Sequence, residues 1–206
     1  MSADPDSAKF VESGCMIYRT EENGYLDTII NRAKELNIPF ELWGPNNIKS
    51  NLPIVDVHKY APVKAPSDSQ FGTHENQLLK GAIFFPTAGY VNDPKLSAYN
   101  LQIASEEKGG KFLFNKEVVS IIKKDKRAAG VELSDGSKIH SKVVINVAGP
   151  HSMKINQMAE VEKEMNIKTK ALKVEVSHVS SPANFDYEAD AFVVSDGDIG
   201  CYSRPE

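Results

Sequence analysis

Apolar and polar residues alternate along the chain in a pattern that predicts strands and helices before residue 55 and mainly strands after residue 110. Phe10–Arg19 mixes apolar residues with a glycine and predicts a strand. Tyr25–Leu36 carries apolar residues at helical spacing on one face, so it predicts an amphipathic helix. Phe40–Trp43 predicts a short strand, and a helical turn is expected within residues 46–53.

The middle of the chain is less regular. Proline and polar residues in 55–80 predict a long loop, and the apolar run at 81–86 predicts a short strand. Asp93 and Pro94 together predict a helix start, with Asp93 as the N-cap and Pro94 at the first helical position. The pair Gly109-Gly110 is expected to end that helix.

From Lys111 onward the pattern changes to strand-like pieces separated by charged or glycine-containing turns. The predicted pieces are KFLF (111–114), EVVSII (117–122), AAGVELS (128–134), KIH (138–140) and the almost unbroken apolar run at 143–147. The turns at 125–127 and 134–137 are hairpin signals. The run at 143–147 is typical of a buried parallel strand.

The last part of the chain returns to mixed structure. Residues 151–165 have a helical pattern, and apolar residues alternate with polar ones from Leu172 to His178, which predicts a half-buried strand. Two further pieces, at 191–194 and 199–203, predict a hairpin around the turn SDGD.

Composition excludes several classes of protein. The chain of 206 residues is 41% hydrophobic and 25% charged, which is ordinary for a soluble globular protein. A net charge of −4 gives no basic footprint for nucleic acid. No apolar run approaches the roughly 18 residues of a membrane helix. Two cysteines, Cys15 and Cys201, are too few for a disulfide framework, so we expect a reducing, cytoplasmic location.

Five segments carry a resemblance to a known family through their order and spacing. They are FVESGCMIY (10–18), AGYVNDP (88–94), GGKFLFNKEVVSII (109–122), VELSDGSKIHSKVVINVAGPHS (131–152) and GCYSRPE (200–206). In this order they resemble the D-amino-acid-oxidase-like family of FAD-dependent oxidoreductases, which includes sarcosine and dimethylglycine dehydrogenases and glycine oxidase. The resemblance covers nearly the whole chain.

The resemblance implies an α/β (α+β) fold in two parts. One part, residues 86–164, would be a partial Rossmann-like FAD-binding domain, and the other, residues 10–85 and 165–206, a substrate-binding domain with a mixed or antiparallel sheet. The phosphate-binding turn G-x-G-x-x-G that opens such a FAD domain does not occur in the 206 residues. We therefore expect the chain to be a fragment of the parent enzyme.

Four residues are implied to contact the cofactor. Ala148, Gly149 and Pro150 follow the apolar run at 143–147, where an open α/β sheet places its ligands. By resemblance, the backbone of Val118 pairs with the adenine ring. The competing interpretations are a plain strand-to-loop turn at Gly149 and a strand core at Val118.

Three residues are candidates for the substrate site. Arg204 offers a guanidinium fork suited to a carboxylate, and the hydroxyl of Tyr202 can donate to the same group. By resemblance, Tyr90 approaches the flavin side of the pocket. The alternatives are a surface arginine beside a turn proline and a tyrosine in a strand core.

The positions of the five histidines in the sequence do not predict a metal site. No metal-ligand spacing links His58, His74, His140, His151 and His178. No metal is therefore expected, and no catalytic base is assigned.

Two functional hypotheses from different classes follow. The first is an FAD-dependent oxidoreductase whose parent oxidises an amine or amino acid by hydride transfer to the flavin, with a hydroxy acid or glycerol 3-phosphate as the alternative substrate. The second is a folded module that holds no cofactor and is inactive alone. An exposed sheet edge would then favour self-association.

Overall fold

The computed structural model describes residues 7–20 and 23–205. Its strands are β1 (Phe10–Val11), β2 (Cys15–Tyr18), β3 (Glu41–Trp43), β4 (Ala82–Phe85), β5 (Tyr90–Val91), β6 (Val118–Lys124), β7 (Arg127–Leu133), β8 (Lys138–His140), β9 (Val193–Asp196) and β10 (Cys201–Ser203). Its α-helices are α1 (Leu26–Glu35), α2 (Pro45–Asn51), α3 (Pro94–Glu106), α4 (Ser152–Ala159) and α5 (Tyr187–Asp190). Short 3-10 turns lie at Gly149–His151 and Glu162–Glu164.

The chain forms two compact units. Unit 1 comprises Met1–Ala104 and Val179–Glu206, and unit 2 comprises Ser105–His178. The predicted division into a substrate domain and a cofactor domain, with boundaries at residues 86 and 165, remains a prediction.

Unit 1 is built on a five-stranded mixed sheet in the order β10-β9-β2-β4-β3. β2 lies parallel to β9 and antiparallel to β4, so that Met16 is opposite Val194 on one side and Phe84 on the other. A separate antiparallel pair joins β1 to β5 and places Val11 opposite Tyr90. The sheet therefore brings the two ends of the described chain into one unit.

The two faces of this sheet bury different residues because successive side chains of a strand point to opposite faces. Ile83 packs with Leu26 and Ile30 of α1 on one face, as the helical spacing predicts. The other face buries a larger cluster that includes Met16, Tyr18, Trp43, Ile48, Leu52 and Phe192. In this cluster the Trp43 and Phe84 rings stack at 4.2 Å between centroids.

Helix α3 begins where the sequence predicts. The Asp93 carboxylate accepts hydrogen bonds from the backbone N–H groups of Lys95 (2.8 Å) and Leu96 (2.9 Å). These bonds satisfy two of the N–H groups that the first turn of a helix leaves without a partner. Asp93 is thus the N-cap, and Pro94 occupies the first helical position.

Unit 2 contains the antiparallel meander β6-β7-β8, with Ile121 and Leu133 buried. Asp125 and Lys126 join β6 to β7 with φ angles of 52° and 62°. Two left-handed residues in a row match the twist of a tight hairpin, which confirms the predicted turn. Helix α4 packs against β6.

Three predicted strands do not form. Residues 111–114, 143–147 and 172–178 are not strands, and the side chains of Val143, Ile145 and Val147 are 68%, 77% and 85% exposed. A strand needs a neighbour for its backbone N–H and C=O groups. Among the described residues no strand pairs with these segments, so their apolar pattern does not lead to burial.

The predicted fold class is confirmed at the level of helices combined with mixed and antiparallel sheets. The strands at 82–85, 118–124, 127–133 and 193–196 and the helix α1 lie close to their predicted positions, whereas α4 covers only the first part of the helix predicted at 151–165. In the part of the chain that the structure describes, none of the helices combines the length and apolar character needed to cross a membrane.

Candidate functional site

Two of the three predicted substrate residues lie together in unit 1. The guanidinium carbon of Arg204 lies 4.9 Å from the centroid of the Tyr90 ring. One guanidinium N–H also donates to the backbone carbonyl of Val91, at 3.3 Å. Cation–π contact and this hydrogen bond hold the arginine at β5, although the two residues are far apart in sequence.

Tyr202 lies on the edge strand β10, where it is opposite Ser195 of β9. Its side chain is 68% exposed, so it is not the strand-core residue of the alternative interpretation. Arg204 follows directly after the end of β10 at Ser203, two residues beyond Tyr202. Between them, Ser203 accepts a hydrogen bond from the Tyr187 hydroxyl at 2.8 Å.

Val118 opens β6, the edge strand of the unit 2 meander. Its backbone is opposite Leu133 of β7, and a register shift separates it from Ser120. Among the described strands none pairs with the other edge of β6. The side chain of Val118 is half-buried, so this residue is neither a fully buried strand core nor an exposed one.

Ala148, Gly149 and Pro150 form a tight turn that leads into α4. Gly149 has φ of 55°, and a side chain built there would meet no atom of the described residues within 4 Å. The His151 N–H donates to the Ala148 carbonyl at 3.1 Å, and Ala148 N–H donates to the Asn146 side chain at 3.2 Å. Gly149 therefore presents bare backbone to open space, as close approach of a ligand requires.

The Asn146 side chain holds this turn against α4. Its amide group donates to the Ser152 carbonyl at 2.9 Å and to the Asn156 side chain at 2.8 Å. Since β6 packs against the same helix, the predicted cofactor residues Val118 and Gly149 lie on elements that adjoin α4.

An acidic cavity of about 240 Å³ lies in unit 1. It is lined by Tyr18, Val55, Asp56, His58, Tyr60, Leu79, Asp196 and Ile199. Burial raises the pKa of the Asp196 carboxyl, and burial together with the Asp196 charge raises the pKa of Tyr18 to about 12. Tyr18 therefore remains a neutral hydroxyl at physiological pH.

Two residues that line this cavity, Asp56 and His58, form a cluster with His74 that sequence spacing did not predict. Ligand atoms of Asp56, His58 and His74 lie within 4.8 Å of one another. The spacing Asp-x-His at 56–58 is a signal that was available, because alternate residues of an extended segment share a face. His74 joins them only through the folding of the loop at 60–74, which the sequence does not specify.

Both cysteines are free thiols. Burial raises the pKa of Cys15, and burial with the nearby Asp196 carboxylate raises that of Cys201. A raised pKa lowers the thiolate fraction, so neither residue has the character of a catalytic nucleophile.

Comparison with solved structures shows the fold of the chain. It resembles L-proline dehydrogenase from P. horikoshii with 22% identity and a TM-score of 0.55, over 75% of this chain and 36% of that one. It also resembles iminodiacetate oxidase from Chelativorans sp. BNC1 with 20% identity and a TM-score of 0.51, over 97% of this chain and 48% of that one. The chain thus spans less than half the length of either structure. Comparison with curated proteins gave no match.

The amino-acid sequence also matches a protein-family model. The model of the DAO family, described as FAD dependent oxidoreductase, matches residues 2–206. This range includes every segment that carries the resemblance, from the segment that contains β1 and β2 to the Tyr-x-Arg run at the end. The chain belongs to the DAO family of FAD-dependent oxidoreductases.

Proposed function

We propose that the chain serves in the flavin-dependent oxidation of a small amino acid, with unit 1 binding the substrate carboxylate. The observation that carries this proposal is the position of Arg204, held over Tyr90 and at the Val91 carbonyl. A positioned guanidinium offers parallel N–H groups that match the two oxygens of a carboxylate. The exposed side chain of Tyr202, two residues earlier in the chain, would add a hydroxyl donor to this site.

The relatives support a substrate that carries both an amine and a carboxylate. The similar structures are named for the oxidation of L-proline and of iminodiacetate. Both compounds bear a nitrogen on the carbon next to a carboxylate. A hydroxy acid keeps the carboxylate and fits Arg204 equally well, so it is the alternative within this class, whereas glycerol 3-phosphate would place a phosphate there.

The residues present fit part of an FAD site. Gly149 leaves its backbone open, and the outer edge of β6 at Val118 has no strand partner among the described residues. We propose that Val118, Ala148, Gly149 and Pro150 line the cofactor. When bound, FAD accepts the electrons that leave the substrate. The chain's own groups bind and orient the cofactor and the substrate, and no side chain is assigned as a catalytic base.

A second candidate function is a folded module that holds no FAD by itself. The observation that favours it is the absence of G-x-G-x-x-G from the 206 residues. That turn supplies the backbone N–H groups that hold a pyrophosphate at a helix N-terminus. In this case oxidation would need residues from another chain or from a longer form of this one.

Replacement of Arg204 by glutamine tests the substrate proposal. Loss of a charged hydrogen-bond pair costs about 1.5–3 kcal/mol, so the affinity for iminodiacetate and L-proline is expected to fall about 10- to 100-fold. Isothermal titration of the full chain measures this. Pyrrolidine, an amine without a carboxylate, should bind the wild-type chain more weakly than L-proline.

The matched control is Arg32→Gln, because Arg32 pairs with Glu35 on the exposed side of α1. This variant should bind both ligands like the wild-type chain. The proposal is wrong if Arg204→Gln and Arg32→Gln bind equally well, or if the wild-type chain does not distinguish L-proline from pyrrolidine.

We also propose that the chain self-associates through its exposed apolar segment at 143–147. The exposure of Val143, Ile145 and Val147 supports this, since a run of exposed apolar side chains favours burial against another chain. Light scattering should show a mass that rises with concentration, and Ile145→Lys should return it to that of one chain. A wild-type chain that stays monomeric at all concentrations contradicts the proposal.

A reducing, cytoplasmic location is part of the same proposal. It is supported by the two free thiols, since an oxidising compartment favours disulfide formation.

A further inference from the structure

The long loop of unit 1 is closed by a short paired stem. His58 bridges Leu78, the Lys59 N–H donates to the Gln77 carbonyl at 2.8 Å, and the Leu79 N–H donates to the Val57 carbonyl at 2.9 Å. The Glu75 N–H donates to the Lys59 carbonyl at 2.8 Å. We refer to residues 56–79 as the stem loop. Its two sides meet at the level of residues 58 and 74.

Three potential metal ligands converge at this meeting point. The imidazole rings of His58 and His74 stack with centroids 4.1 Å apart and planes at 17°. The Asp56 carboxylate lies beside them, with one oxygen 2.6 Å from Nδ1 of His58. The ligand atoms of all three residues lie within 4.8 Å of one another. Two come from one side of the stem loop and one from the other.

Hydrogen bonds already orient two of these groups. The Tyr60 hydroxyl donates to the second oxygen of Asp56 at 2.8 Å. Nδ1 of His74 lies 2.8 Å from the Glu75 carbonyl, which can only accept, so in the neutral ring Nδ1 carries the proton and Nε2 has the lone pair. Metal-binding histidines commonly donate their other ring N–H to a carbonyl or a carboxylate in this way.

The donor set selects the class of ion. Two imidazoles and one carboxylate suit borderline transition metals such as Zn²⁺, whereas Mg²⁺ and Ca²⁺ prefer oxygen ligands alone. Ligands at about 2.0–2.1 Å from a tetrahedral zinc ion lie about 3.3 Å apart. The ligand atoms lie within 4.8 Å of one another, so no gap between them needs to close by more than about 1.5 Å. Because an imidazole lone pair lies in the plane of its ring, the stacked rings must also turn toward a shared ion, and the exposed side chain of His74 can do so.

We propose that Asp56, His58 and His74 bind one divalent transition-metal ion, with Zn²⁺ as the best match, and that the ion ties together the two sides of the stem loop. Asp56 and His58 also line the 240 Å³ cavity, where a water molecule can fill the fourth position. A clip that closes a loop stabilises the folded state by restricting the unfolded chain.

Zinc titration of the full chain after chelator treatment tests this proposal. Calorimetry with zinc chloride should give one ion per chain, and Co²⁺ should give a visible absorption band when it occupies the same site. His74→Ala is expected to weaken zinc binding at least tenfold, and Tyr60→Phe, which removes the hydrogen bond to Asp56, about tenfold or more. Zinc should also raise the melting temperature of the wild-type chain.

The matched control is His178→Ala, because His178 is an exposed histidine of unit 2. It should bind zinc like the wild-type chain. Asp56→Asn gives a second test that does not depend on the folding of the His74 variant. The proposal is overturned if the wild-type chain binds no zinc, or if both ligand variants bind it as tightly as His178→Ala. Because the measurement is metal binding and not oxidation, neither outcome decides the proposed function.

Discussion

Replacement of Gly81 by alanine is expected to lower the free energy of unfolding of unit 1 by about 2–6 kcal/mol. Gly81 has φ of 117°, which L-residues rarely adopt, and an added Cβ would lie 2.2 Å from the backbone carbonyl oxygen of Trp43. Backbone strain and overpacking each cost about 1–3 kcal/mol. The Trp43 carbonyl and the backbone of residue 81 cannot move apart easily, because Trp43 is paired with the next residue, Ala82, between β3 and β4. Chemical denaturation followed by circular dichroism measures the change.

Gly72→Ala is the matched control in the same unit. Gly72 also has a positive φ, of 74°, but an added Cβ would meet nothing within 4 Å. It should therefore carry only the cost of the left-handed backbone, about 1–2 kcal/mol. If the two variants lose equal stability, the close contact between β3 and the start of β4 is not what requires glycine at position 81.

Replacement of Gly149 by alanine is expected to weaken FAD binding at least tenfold, which corresponds to about 1.4 kcal/mol or more. The reason is that we propose close approach of the cofactor to the bare backbone of this turn, and a methyl group would occupy that space. In the part of the chain that the structure describes, no atom lies within 4 Å of the added Cβ. A loss of affinity would therefore result from a clash between the added methyl group and FAD, and not from a clash within the protein. Titration of FAD against the variant, followed by flavin fluorescence, measures it.

Gly136→Ala separates this effect from backbone strain. Gly136 lies in unit 2, has φ of 82° and also has open space around an added Cβ. Both variants should lose a similar, small amount of stability, but only Gly149→Ala should lose affinity for FAD. Equal FAD affinity in the two variants would remove Gly149 from the proposed site.

Local patterns predicted the elements whose stability is decided locally. The apolar face of α1, the Asp93 cap of α3 and the tight turn at Asp125 and Lys126 each depend on neighbouring residues, and each formed as predicted. The runs at 143–147 and 172–178 failed for the opposite reason. Their apolar patterns indicate which side chains a sheet could bury, but a strand also needs a partner, and partners are set by the whole chain.

In the candidate site too, the sequence indicated individual residues but not the contacts that the whole chain sets. Residue type and family resemblance singled out Arg204 and Tyr90, yet their contact depends on the pairing of β1 with β5 and of β9 with β10. The cluster of Asp56, His58 and His74 was missed because His74 reaches the others only through the stem loop. Sequence spacing alone could not show that approach.

The most direct test of the proposed flavin chemistry is a visible-absorbance titration of the purified chain with FAD, after circular dichroism has established that the chain is folded. The account predicts a saturable change in the flavin spectrum with one FAD per chain. A folded chain that leaves the flavin spectrum unchanged at all concentrations would contradict the proposed cofactor site and favour the module that holds no FAD by itself.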